Sequence, residues 1–106
     1  MVAEFGNRVR IIEHPDTLST GLAGRVGTVH GFTTPSLGYL SDPIVGAVEE
    51  DAAVAVQFDG ERDVVWIVPR LLEFLDVGAG TTVRVGDVSF VKEPGGTWER
   101  IREGDR

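Results

Sequence analysis

Short runs in which apolar and polar residues alternate make up most of this chain. Alternation places every second side chain on the same face, so each run predicts a half-buried β-strand. The predicted strands are 7–12, 24–32, 54–58, 64–68, one within 72–77, 81–85, 88–92 and 97–101. The segment 70–75 is too short for an independent helix and predicts a single helical turn. The pattern therefore indicates an all-β chain with one short helical turn.

The clearest local element is a hairpin. Val54, Val56 and Phe58 share one strand face, and the apolar positions resume at 64–68 after the turn 59–62. Two such runs joined by a glycine-containing turn are typical of an antiparallel pair. The predicted core consists of Val9, Ile11, Val26, Val29, Val54, Val56, Phe58, Leu72 and one face of Val64, Trp66 and Val68.

The second predicted strand contains three glycines. Gly24, Gly27 and Gly31 stand at intervals that suit a sharply bent strand, which needs positive φ angles or a close backbone approach. Such bending is required in a small, strongly coiled barrel. The length of 106 residues fits one domain. We therefore expect a partly open barrel of five strands over 1–77, with 78–106 as a β-meander packed on it.

The stretch 33–52 has no periodicity and contains two prolines and two glycines. A connection of this length is unusual in a small domain, and long ordered loops commonly carry function. Its aromatic and aliphatic side chains suit the centre of an interface, and its acidic run suits the rim. The residues expected to contact a partner are Phe32, Leu37, Tyr39 and Leu40 as apolar anchors, Glu49, Glu50 and Asp51 as the rim, and Trp98 on the last strand.

Trp98 has a second interpretation. It can pack the meander onto the barrel instead of contacting a partner, and we favour packing because a tryptophan buries a large area. The choice between the two depends on what lies against its ring.

Charge and composition limit the partners and the compartment. Seventeen acidic and ten basic residues give a net charge of −7, with no basic tract, which argues against binding to phosphate backbones. The absence of cysteine removes disulfides and thiolate chemistry, so a cytoplasmic setting is expected. No apolar run reaches the ~18 residues of a membrane span, and the N-terminus lacks a signal-peptide pattern.

Candidate chemistry is sparse. His14 and His30 are the two histidines, and they fall on a predicted loop and a predicted strand without the spacing of a ligand set. No serine stands in a nucleophile-elbow motif. We therefore expect no catalytic residues, no metal and no cofactor.

Residues 6–77 carry a resemblance to SH3-like barrels. The motif Val68-Pro69-Arg70-Leu71-Leu72-Glu73 is similar to the single turn before the last barrel strand. The motif Gly24-x-x-Gly27-x-Val29 is similar to the glycine strand of KOW-type barrels. The set Arg8-Val9-Arg10-Ile11, Gly27-Thr28-Val29 and Val54-x-Val56-x-Phe58 is similar to the electron-transport accessory barrels.

The accessory barrels include a small photosystem I subunit, the variable chain of ferredoxin:thioredoxin reductase and the C-terminal region of the nitrile hydratase β chain. In those families the barrel contacts a partner subunit, and the metal or cluster belongs to another chain. The resemblance therefore implies a docking module that holds no cofactor of its own.

These observations favour a non-catalytic protein-interaction or accessory module that docks through 33–52. A small acidic inhibitor or immunity-type protein is the first alternative, and it requires the acids to cluster on one face. A KOW-like binder of nucleic acid or the ribosome is the second. A homodimer formed through the C-terminal strands is also left open.

Overall fold

The computed structural model describes residues 4–38 and 40–101, which form two β-sheets. The all-β prediction is confirmed. The elements are β1 (Arg8–Ile11), α1 (Pro15–Ser19), β2 (Val26–Thr33), β3 (Ile44–Val45), β4 (Ala53–Phe58), β5 (Val64–Ile67), β6 (Leu72–Asp76), β7 (Thr82–Val85), β8 (Val88–Lys92) and β9 (Trp98–Ile101), with 3₁₀ turns at Pro35–Leu37 and Pro69–Leu71. No helix in the described part of the chain has the length and apolar character needed to span a bilayer.

The first sheet is a six-stranded, open sheet with the order β3-β5-β4-β2-β1-β6. All of its pairs are antiparallel except β3 with β5. The five-strand prediction missed β3, because two residues are too few to show alternation. Since β3 is an edge strand of this sheet, part of the 33–52 stretch belongs to the regular structure.

The hydrophobic core is formed by inward-facing side chains of this sheet and of the segments that connect its strands. Its buried members are Val9, Ile11, Leu22, Val29, Val54, Val56, Phe58, Ile67, Val68, Leu71 and Leu72. The prediction that Val64 and Trp66 face the core is wrong, because Val54 pairs with Ile67 and Val56 pairs with Val65. Val64 is therefore 37% exposed. Val68, just after β5, is buried in the core as predicted. Every residue of 64–68 is apolar, so alternation could not choose the face.

Gly27 confirms the expected close backbone approach in β2. A Cβ atom at this position would lie 2.6 Å from the carbonyl oxygen of Gln57 on the neighbouring strand. The register then shifts between Val29 and Gly31, which marks a bulge at His30. The bulge places Phe32 directly opposite Val54 at the end of the β2–β4 pair.

The second sheet is the predicted meander, with the order β7-β8-β9. None of its residues is buried except Lys92 at the end of β8. Lys92 and Trp98 face each other in the register and both contact the N-terminal segment that leads into β1. These contacts connect the meander to the first sheet.

Candidate functional site

The stretch 33–52, here called the docking segment after the role that the sequence analysis expects of it, is tied to the sheet at several points. Within β3, Ile44 pairs with Trp66 and Val45 pairs with Ile67. The ladder continues where the Val68 amide donates to the Val45 carbonyl at 3.0 Å. Because these are backbone hydrogen bonds to a core strand, the middle of the docking segment is held in a fixed position.

Asp51 joins the two ends of the docking segment by hydrogen bonds to Ser36. Its carboxylate accepts hydrogen bonds from the Ser36 amide at 2.8 Å and from the Ser36 hydroxyl. Asp51 also has a φ of 51°, the one left-handed backbone among the described residues that are not glycine. Aspartate is among the residue types that tolerate this conformation. The segment therefore returns on itself, with the 3₁₀ turn held against the entry to β4.

The remaining acids of the run differ from Asp51. Glu49 lies 3.7 Å from the Arg70 guanidinium, and the same guanidinium donates to the Ala47 carbonyl at 3.2 Å. Glu50 is exposed and has no hydrogen bond or ion pair with any described residue. Of the three predicted rim carboxylates, two are thus engaged within the chain and Glu50 is available.

The predicted apolar anchors divide by exposure. Phe32 is 72% exposed and Leu37 is 64% exposed, while Leu40 is half-buried. Tyr39 lies outside the described residues. Val48, which the sequence analysis did not select, is a further exposed apolar side chain of the segment.

Trp98 is engaged inside the molecule. Its ring centroid lies 5.8 Å from that of Phe5, and the Phe5 ring in turn lies 5.5 Å from the His30 ring. The Lys92 ammonium stands 5.6 Å from the centroid of the Trp98 ring. The half-buried Trp98 therefore makes the packing contacts that we favoured for it.

Lys92 is the buried charged group of this junction. It is 1% exposed, and its Nζ donates to the Phe5 carbonyl at 2.8 Å and to the Asn7 Oδ1 at 2.7 Å. Burial lowers the pKa of the Lys92 ammonium, and the negative charge of Glu4 opposes that shift. Sequence analysis gave no sign of this role, because a lysine at a strand end ordinarily faces water.

Each of the two histidines contacts neighbouring residues of the fold. His14 is the N-cap of α1, where its Nδ1 accepts from the Asp16 amide at 3.1 Å and its own amide donates to the Thr17 hydroxyl at 3.0 Å. His30 is exposed beside Phe5. Across residues 4–38 and 40–101, no three histidine or carboxylate side chains gather in a way that could hold a metal ion.

An open groove that the sequence did not indicate lies where β3 and β5 begin. Its volume is about 610 Å³, and its less exposed lining is apolar. Asp42 and Asp63 are exposed lining residues, and neither has a hydrogen bond or ion pair with a described residue. The apolar lining includes Leu22, Val45, Val65 and Trp66.

The net negative charge belongs to the first part of the chain. Residues 1–77 contain twelve acidic and five basic side chains, whereas 78–106 contain five of each. Four of the five basic residues in 1–77 are in ion pairs, namely Arg8 with Asp59, Arg10 with Glu73, Arg25 with Glu61 and Arg70 with Glu49. Arg62, the fifth, is exposed and precedes Asp63 in the chain but is in no ion pair with a described residue, so both groove carboxylates are unpaired.

Comparison of the chain with models of protein families, with curated proteins and with solved structures gives no match.

Proposed function

We propose that this chain is a non-catalytic module that docks on a partner protein through the docking segment, in the cytoplasm. The observation that carries the proposal is the exposure of Leu37 on a segment that is fixed to the sheet by β3 and by Asp51, together with the exposure of Phe32 on β2 just before that segment. The same backbone bonds that order the segment leave its large apolar side chains in water.

The energetic reason concerns preorganisation. Association must offset lost translational freedom and the ordering of side chains and loops at the interface. A segment that is already ordered avoids the loop part of this cost, so its exposed anchors contribute more of their burial energy to affinity. Burying one large apolar side chain contributes about 1.5–3 kcal/mol.

The charge distribution favours a second candidate, a small acidic inhibitor or immunity-type protein. Its supporting observation is the excess of acids over bases in 1–77. Both candidates bind a protein, but they differ in what dominates the interface. An apolar anchor chiefly slows dissociation, whereas an acidic surface chiefly accelerates association and loses its effect in salt.

The experiment begins with capture of partners by cross-linking in the native cell, followed by purification of the captured protein. Its affinity is then measured for the unchanged chain, Phe32→Ser, Leu37→Ser and the control Val85→Ser. Val85 is matched because it is 66% exposed but lies on β7. We expect Phe32→Ser and Leu37→Ser to weaken binding at least tenfold and Val85→Ser to have little effect.

Other outcomes identify a different surface. Equal losses in all three variants, or a loss confined to Val85→Ser, would contradict docking through this segment, and the latter would point to the second sheet and to association of two copies. Unchanged affinity in the three variants combined with a steep loss in salt would favour the acidic inhibitor.

A further inference from the structure

We propose that the groove at the start of β3 and β5 binds a basic, partly apolar segment of the partner, with an arginine or lysine side chain placed between Asp42 and Asp63. The proposal rests on the proposed function, because Asp42 and β3 belong to the docking segment. It adds the chemistry of the ligand to a surface that was so far described by its apolar anchors.

The position of the two carboxylates follows from the sheet register. Ile44 lies beside Trp66 in the parallel β3–β5 pair, so residue 42 leads into β3 beside the beginning of β5. Asp63 immediately precedes β5. Both carboxylates therefore stand at the same end of the parallel pair and line one groove.

The charge of the groove selects the sign of its ligand. Asp42 and Asp63 carry like charges in one groove and neither is in an ion pair with a described residue, so a guanidinium or ammonium placed between them is favoured. No basic side chain contributes to the lining. An acidic or phosphorylated ligand would instead add further negative charge to a region that already has an excess of acids.

The apolar lining selects the kind of cation. Val45 and Val65 are half-buried beside the buried Leu22, so the interior offers aliphatic contacts below the carboxylates. A hydrated metal ion gains nothing from such a lining, whereas arginine and lysine bury their hydrocarbon stems against apolar surface. The volume of about 610 Å³ admits a few residues of an extended peptide.

The test uses a defined probe, a blocked pentapeptide that alternates leucine with arginine. Its control is the same peptide with citrulline, which is nearly isosteric and uncharged, at both arginine positions. Binding is followed by fluorescence in the full chain carrying Trp98→Phe, which leaves Trp66 as the sole tryptophan. Amide chemical shifts then identify the residues that respond.

We expect saturable binding of the arginine peptide, with amide shifts concentrated in 42–45 and 63–66. The citrulline peptide and the double variant Asp42→Asn with Asp63→Asn should each weaken binding at least fivefold. A second double variant, Glu13→Gln with Asp87→Asn, removes the same amount of charge from exposed residues outside the groove lining and should retain most of the affinity.

Several results would overturn the groove assignment: no saturation at millimolar peptide, equal binding of the citrulline peptide, equal losses in the two double variants, or the same fluorescence change with calcium chloride alone. The proposed function is tested separately. If Phe32→Ser and Leu37→Ser weaken partner binding while the peptide does not bind, docking through the docking segment is supported and the groove assignment is wrong.

Discussion

Lys92 Nζ donates a 2.7 Å hydrogen bond to Asn7 Oδ1, and this bond joins the end of β8 to the residue before β1. The second sheet depends on this junction, because none of its apolar side chains is buried. We expect Lys92→Met to fill the volume but leave the Phe5 carbonyl without its donor, at a cost of about 1–3 kcal/mol. Denaturant unfolding measures this change, and Trp98 emission should shift to the red.

The control for this prediction is Arg84→Met, a change on the exposed face of β7 that should leave stability nearly unchanged. If Lys92→Met is as stable as the unchanged chain and Trp98 emission is unaltered, the junction does not depend on the ammonium.

Phe58 is the largest fully buried side chain of the core, and the Arg25 guanidinium covers its ring at 4.3 Å. Phe58→Ala should lower the free energy of unfolding by about 3–5 kcal/mol, because it removes a buried ring and leaves a cavity. Phe74→Ala is the matched control, since Phe74 is 50% exposed and should lose less than about 1 kcal/mol. Similar losses in the two variants would show that Phe58 is not central to the core.

Asp51 should govern the local order of the docking segment. Asp51→Ala removes both bonds to Ser36 and leaves an alanine at a φ of 51°. We expect hydrogen exchange of the Ser36 amide to accelerate at least tenfold, with a modest change in melting temperature. Glu50→Ala should leave that amide protected. Unchanged exchange in Asp51→Ala would mean that the tether does not order the segment.

Alanine substitutions at Gly46 and Gly38 distinguish the cost of overpacking from the cost of backbone strain. Both have positive φ, of 93° and 76°, but a Cβ at Gly46 would lie 2.5 Å from Val68 Cγ2, whereas one at Gly38 would meet open space. Gly38→Ala should cost about 1–2 kcal/mol. Gly46→Ala adds an overpacking cost of about 1–3 kcal/mol. Equal unfolding free energies for the two variants would contradict this difference.

The Arg8–Asp59 pair predicts a pH dependence. Its two hydrogen bonds of 2.7 Å lower the pKa of Asp59, so the unfolded chain binds this proton more readily than the folded one. The contribution is present above the ordinary aspartate pKa and is lost as pH falls through the lowered value. Asp59→Asn should therefore be less stable at pH 7, by under about 1 kcal/mol, and the difference should shrink as the pH falls below the ordinary aspartate pKa. A difference independent of pH would exclude this origin.

Alternation predicted the strands well because most of them have one buried and one exposed face. It failed at β5, where every residue is apolar, and at β3, whose two residues take their conformation from a parallel neighbour. Phe32 and Leu37 were selected as anchors because they lie at or within the aperiodic stretch 33–52, and both are exposed. The roles of Lys92 and Asp51 were not, because both depend on hydrogen bonds to residues distant in sequence.

The place of β1 between β2 and β6 has a consequence for biosynthesis. β1 is made first, and β2 can pair with it early, but its other edge must wait until Leu72 and its neighbours leave the ribosome. During that interval Val9 and Ile11 belong to an unpaired strand edge, which is a template for association with other nascent chains. The nascent chain is therefore most prone to aggregation just before β6 is complete.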